Sequence, residues 1–481
     1  MQHSHRRRKK SSAHRRTLSP GHRKKAHRPP SQSPPSAGSH CDWFRCLFSP
    51  LISPQQAEQL FQRHKPRHRR QPILSFSQLL SALVYHVLMG SGSLQSHVQE
   101  LLGIVLSGSA LSQRRQRLPW QVFADILAIG LRPRAQRQQH RQAFYRGLRL
   151  IGLDGTSFAL CNVPRIVRAL GKAASRRFRA AFARVRVVVL WELGLHNPIA
   201  AALGRNGEGE FALAGSLLAQ LPPGSLLLAD RLYGVPAFVI GLLARCRQVG
   251  TEFLVRIPRN LKPRNLSGLR DGSLLVQLHA RGLAGTKGSL IVREIRGRVR
   301  TRAKRWVSVR LWTSLLDARR YPASELLALY GQRWEVELAT KELKIDVAEG
   351  ERLASYTVET AAQEIAALLL AQAALAQVRT VAAQRSQTVV LRISFTQTLR
   401  LVRVLWTLLV LGEGIHTAQQ VGALVQRTWE QIGQAVNPDR RARSCPRAVR
   451  QPVTGWPRLL RRQEWKGPFE YEVIPHRKIK S

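Results

Sequence analysis

The sequence predicts an α/β protein in which a mixed-sheet core is preceded and followed by helical regions and carries an antiparallel β insertion. Three observations lead there. From residue 146 the hydrophobic pattern changes to short apolar runs of strand character with a helix set among them; the stretches 41–145 and 321–435 are helical in period; and residues 261–313 alternate apolar and polar residues between Gly and Arg breaks.

Residues 1–40 hold His, Arg, Lys, Ser and Pro with no acid and almost nothing apolar, the composition of a disordered basic tail. Residues 41–145 read as a small helical domain, from "QQAEQLFQRH", "SFSQLLSALVYHVLMG" and "LPWQVFADILAIGL" with Ser and Gly at the breaks. Within it "SGSALSQRRQRLP" has the form of a Ser-capped helix that offers Arg114, Arg115 and Arg117 to DNA, or only a solvated basic face. Strands follow over 148–153, 183–195, "NPIAAALG" and 224–234, then a helix in "VPAFVIGLLARCRQVG" and a strand in "TEFLVRIP". The sequence of strands, helix and strand over 146–260 is that of an α/β layer. After the β-rich insertion, 261–320, helices resume in 321–380 and continue through 381–435, and 436–481 reads as a basic tail.

The chain has 481 residues, of which 77 are Lys or Arg and 28 Asp or Glu, a formal net charge of +49. A single small module is excluded by length, and a polyanionic partner is the default expectation, with a ribosome-associated or chromatin-like role as the plainer alternative. The five cysteines, Cys41, Cys46, Cys161, Cys246 and Cys445, are scattered and make no zinc pattern. The start lacks the apolar core of a signal peptide, and "TLRLVRVLWTLLVLG" is interrupted by Arg400 and Arg403 and too short for a bilayer span. The expected location is cytoplasmic and nucleoid-associated.

With acids so scarce, an acid inside an apolar run needs a partner or a metal. Asp154 in "LRLIGLDG", Glu192 in "VVVLWELG" and Asp230 in "SLLLAD" are such cases, and each is open to a plain reading as a core acid paired with arginine. The segment "YGQRWEVELATKELK" is more telling. On an ideal helix Tyr330, Arg333, Glu337, Lys341 and Lys344 share about 80° of arc, whereas Glu335, Glu342 and Asp346 project to the far side, where charges are normally solvated. An ion-pair ladder accounts for Arg333, Glu337 and Lys341 alone. Phosphate chemistry accounts for the whole face: a carboxylate for a divalent metal, with Arg and Lys for non-bridging oxygens. Together Asp154, Asp230 and Glu337 are three carboxylates suited to two Mg²⁺ ions and in-line phosphoryl transfer.

These residues resemble bacterial insertion-sequence transposases of the DDE class, in the group with a Tyr-Arg-Glu-Lys signature (the insertion-sequence-four type). Tyr330, Arg333, Glu337 and Lys344 match that signature in identity and spacing, and the aspartates match in "LDGTSF" and "LADRLYG". The resemblance implies a ribonuclease H-like catalytic core over 146–260 and 321–380 interrupted by the β insertion, a DNA-end-binding role for 41–145, Mg²⁺ (Mn²⁺ possible) as cofactor, and a homodimer pairing transposon-end DNA with target DNA. It implies metal binding by Asp154, Asp230 and Glu337 and DNA contacts from Tyr330, Arg333 and Lys344; Lys341 shares their face. Some relatives use an insertion tryptophan on a flipped base, but Trp306 and Trp312 are expected to pack in the β insertion. A metal-dependent nuclease without strand transfer, and a transposase-derived DNA-binding protein without activity, are the competing readings.

Overall fold

A computed structural model describes residues 44, 48–64, 73–174, 179–205, 207–281, 287–300 and 306–438. The expected tail over 1–40, most of the tail after 436, Cys41, Cys46, Cys445 and the Trp306 side chain lie outside them.

Serine-capped helices open the described chain: α1 (Pro54–Arg63), α2 (Phe76–Met89), α3 (Leu94–Leu102) and α4 (Gly108–Gln116), followed by α5 (Trp120–Gly130). Ser53, Ser75, Ser93 and Ser107 each accept a backbone N–H of the first turn, which satisfies a donor the helix leaves open. Among the described residues ten strands form one sheet. A two-residue strand, β1 (Phe144–Tyr145), flanks β2 (Leu148–Ala159), and β3 (Arg184–Glu192) and β4 (Asn197–Leu203) follow the helix α6 (Pro164–Leu170). Helix α7 (Glu210–Leu217) leads to β5 (Ser225–Ala229), and α8 (Pro236–Val249) to β6 (Glu252–Arg256).

The sheet order begins β4-β3-β2-β5-β6. Strand β3 runs antiparallel to β2, while β5 and β6 run parallel to it in sequence. Counted from β2 this is the order 3-2-1-4-5 with the second strand reversed, the ribonuclease H-like arrangement. The insertion, β7 (Arg264–Gly268), β8 (Leu274–Arg281), β9 (Lys287–Arg300) and β10 (Trp306–Thr313), is antiparallel as expected. It extends the core sheet, because β10 pairs with β6 through Leu311↔Arg256 and its neighbours. Trp312 is fully buried there and donates to Glu294 at 3.0 Å, which agrees with a packing role.

Strand alternation sorts β2 into two cores. Leu150 and Phe158 join one apolar cluster with the helices after the insertion, and Ile151 and Leu153 join another with α7 and α8. The first cluster contains α11 (Val358–Arg385), followed by α12 (Phe395–Leu411) and α13 (Ala418–Gln434). Helix α11 is apolar around most of its circumference and so must be covered on all sides. It is long and apolar enough to cross a membrane, yet 83% of its apolar window is buried inside the protein. The N-terminal helices supply part of that cover: Leu79, Leu83, Phe123 and Ile126 belong to the same cluster as Ile365 and Leu369. The described residues of 54–130 thus share their core with α11.

Glu192 follows the plain reading of a core acid. It is fully buried, ion-paired with Arg149, and accepts the backbone N–H groups of Arg134 and Ala135 at 2.9 Å.

After the insertion come α9 (Ala323–Leu329), a 3₁₀ turn (Tyr330–Arg333), α10 (Trp334–Lys341) and a π-helical turn (Glu342–Val347). Helix α10 lies so close to β2 that a Cβ on Gly152 would sit 2.1 Å from Val336 Cγ2 and 2.7 Å from Leu193 Cδ2. Gly152→Ala should therefore cost about 1–3 kcal/mol of stability in chemical denaturation. Val336→Ala in the same chain should restore part of that loss. If the two losses simply add, Gly152 does not set the approach of α10.

Candidate active site

The two aspartates meet because of strand register. Strands β2 and β5 pair in parallel up to Leu153↔Ala229, and Asp154 and Asp230 occupy the next position on each. Both fall on the sheet face that carries α10, by alternation with Leu150 and Leu228 of the same cluster. Asp230 ends its strand in a turn and accepts the backbone N–H of Leu232 at 2.7 Å. Burial, the adjacent Asp230 and then Glu210 push the Asp154 carboxyl up to about 7, against the pull of Arg333. Two acids held side by side in this way are short of positive charge.

The signature segment covers them from above. Tyr330 donates to the carbonyl of Ala229, the last residue of β5, at 3.1 Å, and burial raises its hydroxyl to about 12. Arg333 donates to Glu337 at 2.6 Å across one helical turn and acts electrostatically on both Asp154 and Asp230. Lys344 stands 6.0 Å over the ring of Phe158 and donates to Glu351 at 2.8 Å. Lys341 is turned aside, toward Asp346 at 3.2 Å.

The expectation that Glu335 and Glu342 lie on a solvated face is overturned. Glu342 is 8% exposed, and His196, in the β3–β4 turn, is hydrogen-bonded to both glutamates at 2.9 Å, through Nδ1 to Glu342 and Nε2 to Glu335. Arg379 and Gln372 of α11 also reach Glu342, each at 3.3 Å. Burial disfavours a charged His196, but Glu342 and the two hydrogen bonds outweigh it and raise the ring above its ordinary value. Two departures from the ideal wheel explain the error. The segment passes through 3₁₀, α and π turns instead of one helix, and its far side faces β3–β4 and α11 instead of water.

Arg115 also differs from the reading of a free basic face. It donates to Gln363 of α11 at 3.1 Å and accepts from it through its backbone carbonyl at 2.7 Å, so it braces α4 against α11. Arg114 is half-buried near Glu58, and Arg117 is exposed at the end of α4.

Sequence reasoning missed Glu210, at the start of α7. A Cβ on Gly155 would lie 2.3 Å from its Cδ, so the Glu210 carboxylate rests on the β2 backbone beside Asp154. Tyr233 donates to it at 2.7 Å. The available signal was the glycine of "LDGTSF", which leaves room for another residue's side chain.

Among the described residues no three His, Cys, Asp or Glu side chains converge closely enough to hold a metal as a group. Asp154 and Asp230 are a pair of adjacent carboxylates, the donor type that hard divalent cations take, often only one or two per ion. Their mutual repulsion is the physical reason for the fit.

The raised Asp154 carboxyl also fixes a pH dependence. Its stabilising contribution is present below the ordinary carboxylate value and is lost as pH rises through about 7. With a chelator present, Asp154→Asn should raise the thermal midpoint above wild type at about pH 8 and bring little gain at about pH 4. Equal gains at both would show that burial and repulsion do not act on Asp154.

A family model, the transposase DDE domain, matches residues 146–373, which begin just before β2 and end within α11. The chain is 27% identical over 266 residues to the transposase InsG of insertion sequence element IS4 from Escherichia coli (strain K12), covering 55% of this chain and 59% of that relative. It is 28% identical over 201 residues to the putative transposase InsZ of the same organism, covering 38% of this chain and 67% of that relative. The chain thus spans less than two thirds of InsG. A solved structure of the piggyBac transposase synaptic complex with hairpin DNA aligns over 84% of this chain and 87% of its own, at a TM-score of 0.40 and 10% identity. Over residues 146–373, a span that holds both aspartates and the Tyr-Arg-Glu-Lys segment, the chain is similar to DDE transposases, that of the IS4 element among them.

Proposed function

We propose that the protein cleaves the ends of its transposon and joins them to target DNA by metal-dependent phosphoryl transfer. The observation that carries this is the placement of Asp154 and Asp230 side by side where the pairing of β2 with β5 ends, on the sheet face that carries α10 and close enough to Arg333 to feel its charge. In this reading Asp154 and Asp230 would hold Mg²⁺ or Mn²⁺, with Glu337, paired here with Arg333, as the third carboxylate that would join them. The bound metal supplies activation of the attacking oxygen and stabilisation of the leaving one.

The remaining roles belong to the chain. Arg333, released from Glu337, presents a planar fork to a phosphate at the cleaved end. Tyr330 fixes the segment to the end of β5 and faces the backbone with it. Lys344 and the more exposed Lys341 add charge along the same path, and Arg117 with Arg114 makes the α4 contribution to end binding. Two chains acting on the two ends, as a homodimer, complete the assembly. The excess of basic over acidic residues favours DNA binding of any sequence at low salt.

Asp154→Asn, Asp230→Asn and Glu337→Gln should each reduce cleavage of end DNA to below about 1% of wild type, a loss of several kcal/mol in transition-state stabilisation, with DNA binding within about twofold. Retained cleavage in any one removes that residue from the catalytic set. Cleavage without joined products in the wild type would favour a nuclease instead.

Arg333→Lys keeps the charge and loses the fork. It should fold and bind DNA at low salt but form cleaved and joined products at least about tenfold less well, measured by gel assay of end DNA. Normal product formation would assign Arg333 to pairing with Glu337 alone.

A further inference from the structure

In a chain with 28 acids, Glu351 occupies a costly place. It follows the π-helical turn, its side chain is 52% exposed, and its two oxygens are held separately by cations. Lys344 donates to Oε1 at 2.8 Å and Arg184 of β3 to Oε2 at 2.9 Å. The Arg184 guanidinium is itself oriented by Ser157, accepting from Nε through Oγ at 2.8 Å and from Nη2 through its backbone carbonyl at 2.9 Å. The backbone of 351–353 is laced to the end of β2, with Ala159 donating to the Glu351 carbonyl at 2.7 Å and Leu353 donating to that of Ala159 at 2.9 Å. The hydrogen bonds from Lys344 and then Arg184 hold the Glu351 carboxyl below its usual range.

An exposed ion pair adds little to folding, typically about 0–1 kcal/mol. The arrangement has the chemistry of anion recognition instead: a lysine as point charge, an arginine as fork, a hydroxyl that orients the arginine, and an anion with two oxygens already in place. Ser157 lies three residues beyond Asp154 on β2, about 10 Å along the strand and on the other face by alternation, while Lys344 stands over Phe158 on the Asp154 face, so the cluster wraps the end of β2 beside the site.

We propose that Lys344, Arg184 and Ser157 form a seat for a DNA backbone phosphate beside the reacting one, and that Glu351 fills this seat in the DNA-free protein as an internal phosphate mimic. The proposal rests on the transposase reading and deepens it. DNA must displace Glu351 to engage fully, which weakens binding of any duplex. Arg184 and Ser157 become DNA-contacting residues, and Glu351 a brake on non-specific association in a chain whose charge otherwise invites it.

The test is duplex affinity at fixed salt without divalent metal, so a wild type unable to cleave ends would contradict the function reading and leave this measurement intact. Glu351→Gln should bind duplex about fivefold more tightly than wild type, whereas Glu430→Gln, an equal charge change on exposed α13, should stay within about twofold. Adding Arg184→Gln to Glu351→Gln should remove the gain. Equal gains from the two glutamine variants, or a gain that survives loss of Arg184, would overturn the proposal.

Should Glu351→Gln fail to fold, Arg184→Gln in the otherwise native chain should weaken duplex binding more than Arg400→Gln on exposed α12, and equal weakening would overturn it. Inorganic phosphate is the remaining probe. If it raises the thermal midpoint of Glu351→Gln while duplex affinity stays at the wild-type level, the seat serves free anions and the proposal falls.

Discussion

The parallel pairing of β2 with β5 is the constraint on which the site depends. Its register brings Asp154 and Asp230 to the same level and the same face, and no loop rearrangement is needed to keep them there. The cost is electrostatic: two carboxylates share a half-buried place, and the Asp154 carboxyl rises in response. A sheet buried on both faces can bear that cost because its apolar clusters hold the strands independently of the acids.

The signature segment is organised by opposition between its two sides. One side presents Arg333 to the aspartates, with Glu337 paired to it. The other is fastened by the buried cluster of His196, Glu335, Glu342, Arg379 and Gln372. Removing one partner from such a cluster leaves a buried charge uncompensated, so the cluster specifies orientation more than it adds net stability. The close approach at Gly152 sets the height of the segment, and the cluster sets its rotation. The π turn that follows carries Lys344 over Phe158 and toward the flank of the site.

Much of this was legible in the residues. Apolar runs located the core strands, serine caps located the first helices, scarcity of acids singled out Asp154, Asp230 and the structural Glu192, and the shared helix face singled out Glu337. What escaped was long-range. A 100° wheel assumes one ideal helix with water behind it, so it placed Glu335 and Glu342 in solvent when α11 and the β3–β4 turn cover them. Glu210 lies 56 residues from Asp154, and only the missing side chain at Gly155 hints that they meet. Arg115 looked like a DNA reader because its partner, Gln363, lies 248 residues away.

The most direct measurement of the central claim is anomalous diffraction from Mn²⁺ in crystals of the protein bound to the end DNA proposed as its substrate. The account predicts metal within about 2.0–2.3 Å of carboxylate oxygens of Asp154 and Asp230, with Glu337 released from Arg333 and turned to the metal, and Arg333 on phosphate. Metal at another place, or Glu337 still paired with Arg333 beside bound metal and DNA, would contradict it.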